Sequence, residues 1–429
     1  MSPLFRLRQL AWDLRANLLF RPMWILGLLA LGAAILPSAE AQLRDTSATY
    51  AAFHRWLNLE PGAAQVVLGT LAGSLMTVVS VVYSILLVAL SLASMQFSTR
   101  ILAGFMRDRT SQNTLGLLLG SFVWSLLTLR AVHLDPPFVP SVSVSVAIGL
   151  AVSSLLALVW FIHHIVTSIQ ANHLIDRLAT QTEPAIDEIY PAGPPAPATP
   201  CPPVPEGAAT VAATASGYVQ LVDLPGLQAL AASAGASLHL LRPMGRFVPA
   251  GGALFAVHPP AACTEALAQA CRQAVDLGPV RTMQQDAEWG FRQIVDIALK
   301  ALSPAVNDPS TAATCTDHLS RLLIRVAQRQ PPQQVWPAGA GRVVAPQPTL
   351  ADLLDLSIEQ IRQYARADMA VSLRLLRALH DVAQVTRDPA ALARVALHAR
   401  LIEAAATASF PAEDRDELHR RLAQIQEVL

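Results

Sequence analysis

Polar and apolar positions divide the chain into two unlike halves. Residues 22–39, 62–99, 110–129 and 136–175 are apolar stretches; the last three contain no Asp, Glu, Lys or Arg. A bilayer core of roughly 30 Å is crossed by about 20 apolar helical residues, so each stretch predicts a membrane-spanning helix. Nothing comparable follows Asp176. The second run is 38 positions long. At 1.5 Å per residue that is about 57 Å of helix, nearly twice the hydrocarbon thickness. It should therefore project, tilt or break, and so should the fourth. The extra turns at 95–99 and 168–172 mix polar and apolar side chains without charge, which suits packing better than bulk water.

Beyond the apolar runs the period changes. Residues 191–216 are dominated by Pro, Ala and Gly, a linker composition that builds no core. A two-residue alternation then reads as strands at 217–223, 237–241 and 253–257, with a short helix at 227–234. Helical periodicity returns at 263–275 and 286–302. Asp308 followed by Pro309 is a cap and first-turn pair that starts another helix, running to about 329. A Pro/Gln/Gly-rich insert at 330–348 precedes helices at 350–365, 367–385, 388–407 and 411–428. The implied fold class is an α-helical polytopic membrane protein with four transmembrane helices (about 22–39, 64–97, 111–132 and 139–170) and an α+β cytoplasmic C-terminal domain, with a small β module and a helical bundle. Its divisions are 1–180 (transmembrane), 181–216 (linker), 217–260 (β module) and 261–429 (helical).

Composition agrees. Of 429 residues 53% are hydrophobic and only 14% charged, with 31 basic against 31 acidic side chains. A binder of nucleic acid needs clustered positive charge, and none is present. Thirty of the basic residues are arginine; the single lysine is Lys300. Cys201, Cys263, Cys271 and Cys315 are scattered and form no metal-binding pair. Arginines near the spans set orientation. Arg6, Arg8, Arg15 and Arg21 precede the first span, and Arg100, Arg107 and Arg109 lie between the second and third. The other two loops are poorer, so both termini are expected on the cytoplasmic side of the membrane. Residues 38–41 imitate a signal-peptidase site, but the long polar leader and three further spans favour a retained first span.

The second span carries Thr70, Thr77, Ser84, Ser91 and Ser98 every seven residues, with Gly73, Ser80 and Ser94 on the adjacent ridge. Gly69 and Gly73, like Gly116 and Gly120 in the third span, are spaced G-x-x-x-G. Small residues let helices approach closely in lipid, and hydroxyls bond across the seam. The stripe is therefore either a packing face or a hydroxyl-lined pathway in a homo-oligomer. The spans carry no mid-membrane Asp, Glu or Lys of the kind a proton relay uses. His163 and His164 point to different helix faces, which argues against a shared metal and for interfacial anchoring beside Trp160.

The segment 281–312 gathers Arg281, Gln285, Asp286, Arg292, Asp296, Lys300, Asn307 and Asp308. Arg292, Asp296 and Lys300 lie four residues apart, the spacing of a charge ladder along one helix face. The alternatives are a salt-bridged helix with a capped successor, or a ligand site or subunit contact. No nucleophile–base order, phosphate loop or metal motif points to catalysis, so no catalytic residue, metal or cofactor is expected.

Two resemblances add to this. Residues 217–219 with 242–251 are similar to half of a lipoyl-type barrel-sandwich, although Lys300 lies outside that segment and excludes a carrier lysine. The segments LASMQFSTR (92–100), QNTLG (112–116), GYVQLVD (217–223) and the long run at 281–312 resemble the bacterial predicted-membrane-protein family catalogued as domain of unknown function 2254. Thr99 stands where that family usually has proline. The resemblance implies a polytopic inner-membrane protein with a soluble C-terminal region and no established activity. The functional expectation is a homo-oligomeric, channel-like passive pathway with a cytoplasmic regulatory domain. The alternative is a membrane-anchored sensor or scaffold.

Overall fold

The computed structural model describes residues 20–44, 47–57, 59–96, 108–168 and 170–429. They form two compact bodies, one of residues 20–95 and 108–170, the other of residues 171–429.

The first body holds α1 (Phe20–Leu43), α2 (Ala48–Leu57), α3 (Pro61–Gln96), α4 (Arg109–Arg130), the two-residue strands β1 (His133–Leu134) and β2 (Pro137–Phe138), and α5 (Ser141–Ser168). Among the described residues four helices are long and apolar enough to cross a membrane: Arg21–Leu43, Pro61–Leu92, Arg109–Arg130 and Ser141–Thr167. α4 is the least apolar of the four and the most enclosed. That is the arrangement lipid dictates, because its Ser111, Gln112, Thr114, Ser121, Ser125 and Thr128 would each lose hydrogen-bonding partners in hydrocarbon. Glycine sets the closest crossing, α1 on α4: a Cβ on Gly116 would stand 2.9 Å from Ile25 Cδ1 and 3.0 Å from Pro22 Cα, one on Gly32 2.8 Å from Trp124 Cζ3. α3 joins through larger side chains, Leu68 beside Trp124 and Val144, and Leu75, Val79 and Val82 beside Leu118 and Phe161.

The overlong runs resolve differently. α3 remains one helix of 36 residues. The fourth run divides: α5 ends at Ser168, and α6 (Ala171–Ile189) is a separate amphipathic helix. The first span reaches Leu43, past the composition-based end near 39, because Glu40 is drawn inside the body rather than left in a loop.

In the second body, α6 lays Leu174, Ile175, Leu178 and Ile186 inward against α9 (Ala287–Ala301) and α10 (Pro309–Ala327). Helices α11 (Leu350–Tyr364), α12 (Met369–Val385), α13 (Pro389–Ser409) and α14 (Asp416–Val428) complete the bundle. The β part comprises β3 (Ala209–Ala212), β4 (Gly217–Val222), α7 (Leu224–Ala234), β5 (Ser237–Leu240), β6 (Phe247–Val248), β7 (Ala253–His258), α8 (Glu265–Gln273) and β8 (Val275–Gly278). Strands β9 (Val335–Ala338) and β10 (Gly341–Val344) come from the insert. One sheet has the order β3-β7-β5-β10-β9, the other β6-β4-β8. β10 runs parallel to β5. Leu227, Leu238, Val248, Phe255, Cys271 and Val343 share the core.

Several segments differ from their sequence-level description. The stretch 181–216, expected as a linker, is one only in its middle: residues 181–189 continue α6, and 209–212 form β3, which pairs with β7 and puts Val211 into the core. The run 263–275 becomes a Thr264-capped helix and an edge strand. The insert supplies a hairpin, whose strands Val-Trp-Pro-Ala and Gly-Arg-Val-Val are four residues each and carry no two-residue alternation that would mark them in the sequence. The lipoyl-like residues 217–219 and 247–248 pair as neighbouring antiparallel strands of one three-stranded sheet, β4 beside β6, while α7 and β5 lie between them in the chain and β5 goes to the other sheet, where it takes β10 as a parallel neighbour; that is not half of a barrel-sandwich.

Candidate functional site

The hydroxyl stripe lies on the outer face of α3. Thr70, Thr77, Ser84 and Ser91 are all exposed, as are Gly69, Gly73 and Ser80; Ser98 lies outside the described residues. A Cβ on Gly69 or Gly73 would meet nothing within 4 Å. The hydroxyls turn back on their own helix: Thr77 donates to Gly73 O (3.1 Å), Ser80 to Met76 O (3.1 Å) and Ser84 to Ser80 O (2.9 Å). Each O–H is thus satisfied while the oxygen keeps capacity to accept. Within this body, bonding across a seam falls instead to Ser121 and Ser154, 3.0 Å apart between α4 and α5, and to Trp124 Nε1, which donates to Ser143 O at 3.0 Å. The two G-x-x-x-G pairs part in the same way, Gly116 and Gly120 in a tight crossing, Gly69 and Gly73 in the open.

Glu40 carries a role its position in the sequence conceals. It is 1% exposed, and its carboxylate accepts from Val142 N and Ser143 N, both at 2.8 Å, from Ser143 Oγ, and from Tyr50 Oη at 3.0 Å. It caps α5 from the end of α1, satisfying amides that no intrahelical carbonyl reaches. Burial, and then the Glu40 charge, push the Tyr50 phenol up to about 12. Within the same body Asp108 caps α4 through Ser111 N (2.8 Å) and meets His164 Nε2 at 3.0 Å. His163 lies against Trp160 instead. The two histidines therefore serve separate neighbours.

The charged segment at 281–312 assembles into three groups. Arg281 grips Asp286 with two bonds of 2.9 Å and lies 5.0 Å over the Trp289 ring. Asp286 also caps α9 through Trp289 N at 3.1 Å. Burial raises its carboxyl pKa, against the pull of Arg281. Gly245, at φ +75°, crosses directly over this pair, where any side chain would strike the Asp286 carboxylate. Gln285 works as a strand mimic: its amide accepts from Val222 N (2.9 Å) and donates to Val222 O (3.3 Å), holding β4 to the start of α9. Further along, Arg292 meets Asp296 at 2.9 Å, whereas Lys300 forms no ion pair among the described residues. Asn307, at φ 49°, makes the turn that lets Asp308 cap α10 through Thr311 N at 3.1 Å. Serine and threonine donors to Asp308 lower its pKa.

A second set of charges went unremarked in the sequence. Asp176, Glu183 and Asp187 on α6 face Arg321 and Arg325 on α10 and Arg329 just past its end, with Arg325 bidentate on Asp187 at 2.7 and 2.8 Å. Its signal was the four-residue spacing of the three arginines, legible only once their partner helix is known.

The sequence matches the predicted membrane protein family DUF2254 over residues 15–381. The chain belongs to that family. DUF2254 relatives include uncharacterized proteins of Mycobacterium bovis and Mycobacterium tuberculosis, each 36% identical over 381 residues, covering 86% of this chain and 73% of theirs. A second Mycobacterium tuberculosis strain supplies another at 35%. No solved structure matches this DUF2254 chain significantly. The family match spans both bodies, so the stripe, the Glu40 cap and the 281–308 cluster all lie within it.

Proposed function

We propose that this DUF2254 protein self-associates in a bacterial inner membrane through α3 and forms a channel-like passive pathway, with residues 171–429 as a cytoplasmic regulatory domain and both termini cytoplasmic. One observation carries the reading: the exposed face of α3 is built unlike a lipid-facing surface. The outer face of α5 presents Val152, Leu155, Leu156 and Val159, as acyl chains require, with a single back-bonded hydroxyl, Ser153, bonded to Gly149 O at 2.8 Å. The outer face of α3 presents Thr70, Gly73, Thr77, Ser80 and Ser84 among its apolar residues. Side chains so small waste contact with lipid but suit a neighbouring helix or water. Back-bonded hydroxyls offer acceptors to a permeating species without an ionised group. The reading assigns no catalytic role and no cofactor.

The test pairs assembly with flux. Cysteines placed at Thr77 and Ser84, with Cys201 and Cys263 replaced by serine, should cross-link between copies into species larger than a dimer. Reconstituted liposomes should release ions or small osmolytes, and thiol reagents at position 84 should reduce that release. Cross-linking that stops at the dimer, with no flux across a broad solute panel, overturns the pathway and favours a scaffold whose spans only pair.

A further inference from the structure

Strand alternation gives the sheet β3-β7-β5-β10-β9 two unlike faces. Leu238, Leu240, Phe255, Val257 and Val343 belong to the core. Their alternates point the other way. Register places Arg342 of β10 beside Ser237 of β5, and Ser237 beside His258 of β7. These three therefore share one row across three neighbouring strands. His239 stands two residues on from Ser237, on the same face, opposite Ala256. The row is open and the position behind it is closed. Arg342 is exposed, Ser237 and His258 are half-buried, and His239 is 2% exposed. His239 thus forms the floor of a recess whose rim is the row.

The group lacks the partners its chemistry calls for. His239 Nε2 and His258 Nδ1 are both shut off from solvent and make no hydrogen bond, although buried polar atoms are nearly always bonded. The Arg342 guanidinium and the Ser237 hydroxyl make no side-chain bond among the described residues, and no carboxylate there pairs with any of the four. Elsewhere in this body Arg281, Arg292, Arg321 and Arg325 each hold a carboxylate. Burial lowers the His239 pKa, and Arg342 and then His258 lower it further. Those two groups are its charged neighbours, and no acid offsets them.

We propose that the Arg342–Ser237–His258 row, with His239 beneath it, binds a phosphate group. A metal ion on the two imidazoles would be repelled by the guanidinium beside them, whereas an anion is drawn by it. Strands about 4.8 Å apart spread the donors of the row over about 10 Å of backbone. A carboxylate meets a guanidinium in one plane. A tetrahedral phosphate does the same with two oxygens and aims the others at the serine O–H and the imidazole N–H. The assignment goes beyond the proposed function and stands whether or not the spans conduct.

Soluble phosphate and the phosphate of a lipid headgroup present the same chemistry, so both serve as probes. Full-length protein in uncharged detergent and phosphate-free buffer is titrated calorimetrically with inorganic phosphate, and separately with phosphatidic acid in mixed micelles. Saturable binding of at least one is expected. Arg342→Ala should weaken it at least tenfold and His258→Gln several-fold. Neither side chain is fully buried, so both variants should keep the Tm of the ligand-free protein. Arg377→Ala, which removes an exposed arginine of α12, should leave affinity unchanged. Binding of phosphate alone assigns a soluble ligand, of phosphatidic acid alone a headgroup, and of both a site selective for the phosphate itself. No saturable binding of either probe, unchanged affinity in Arg342→Ala or in His258→Gln, or an equal loss in Arg377→Ala overturns the proposal.

Discussion

Glu40 shows how a single side chain decides the end of a span. Replacing it by alanine leaves the amides of Val142 and Ser143 without an acceptor inside the body, at about 1–3 kcal/mol. Glu40→Ala should therefore lower the Tm measured in detergent, and Glu40→Gln, which keeps one acceptor oxygen, should lower it less. His239 makes a second case. It is 2% exposed on β5, and burial, helped by Arg342 and His258, lowers its pKa below the usual value. The unfolded chain then takes up a proton that the folded chain refuses. Stability contributed by neutral His239 is present above the unfolded value of about 6.5 and is lost as pH falls below it. A Tm series from pH 7.5 to 5.5 should fall, and His239→Gln should flatten the slope whatever it does to the level. His318, shifted the same way, keeps part of that slope. Neither residue announces itself in the sequence: Glu40 reads as a loop acid, and His239 as one alternating position in a strand.

At the scale of elements the helices were the most legible part. Length and absence of charge identify the four long apolar ones, and cap chemistry at Asp308 gives the start of α10 to the residue, whereas periodicity alone starts α9 one residue early, at the Asp286 that caps it. Partnership was not legible, as the two G-x-x-x-G pairs illustrate: spacing is identical, but one pair meets Ile25 and Leu29 while the other meets nothing. The difference resides in α1, over 80 positions away in the chain. It yields a direct test. Gly120→Val should destabilise the solubilised monomer, seen as a lower Tm, because the new branch enters Leu29. Gly73→Val should leave that Tm nearly unchanged and instead reduce cross-linking between copies at position 77. If both variants behave alike, α3 presents no separate face. The short strands β8, β9 and β10 escaped notice for another reason: four residues cannot establish a period when pairing, not pattern, holds them in place.

At the scale of the molecule, composition drew the division between the apolar half and the rest, but within the second body it suggested joints that the chain does not respect. β10 returns from position 341 to lie parallel to β5, with Val343 opposite Leu238, so the sheet begun at 209 is finished only after α9 and α10 have been made. A fragment of residues 217–260 should consequently give collapsed amide resonances typical of an unfolded peptide; a dispersed spectrum would show the module to be autonomous. The candidate site was visible as chemistry and hidden as geometry: Gln285 and Asp286 stand out by type, while what they hold, Val222 of β4 and the turn at Gly245, shows only in the fold. The same delay governs the apolar body. The carboxylate near the end of the first span finds its amides only after a hundred further residues have been synthesised, so a nascent protein halted before residue 142 still lacks the donors that hold that acid in the finished fold.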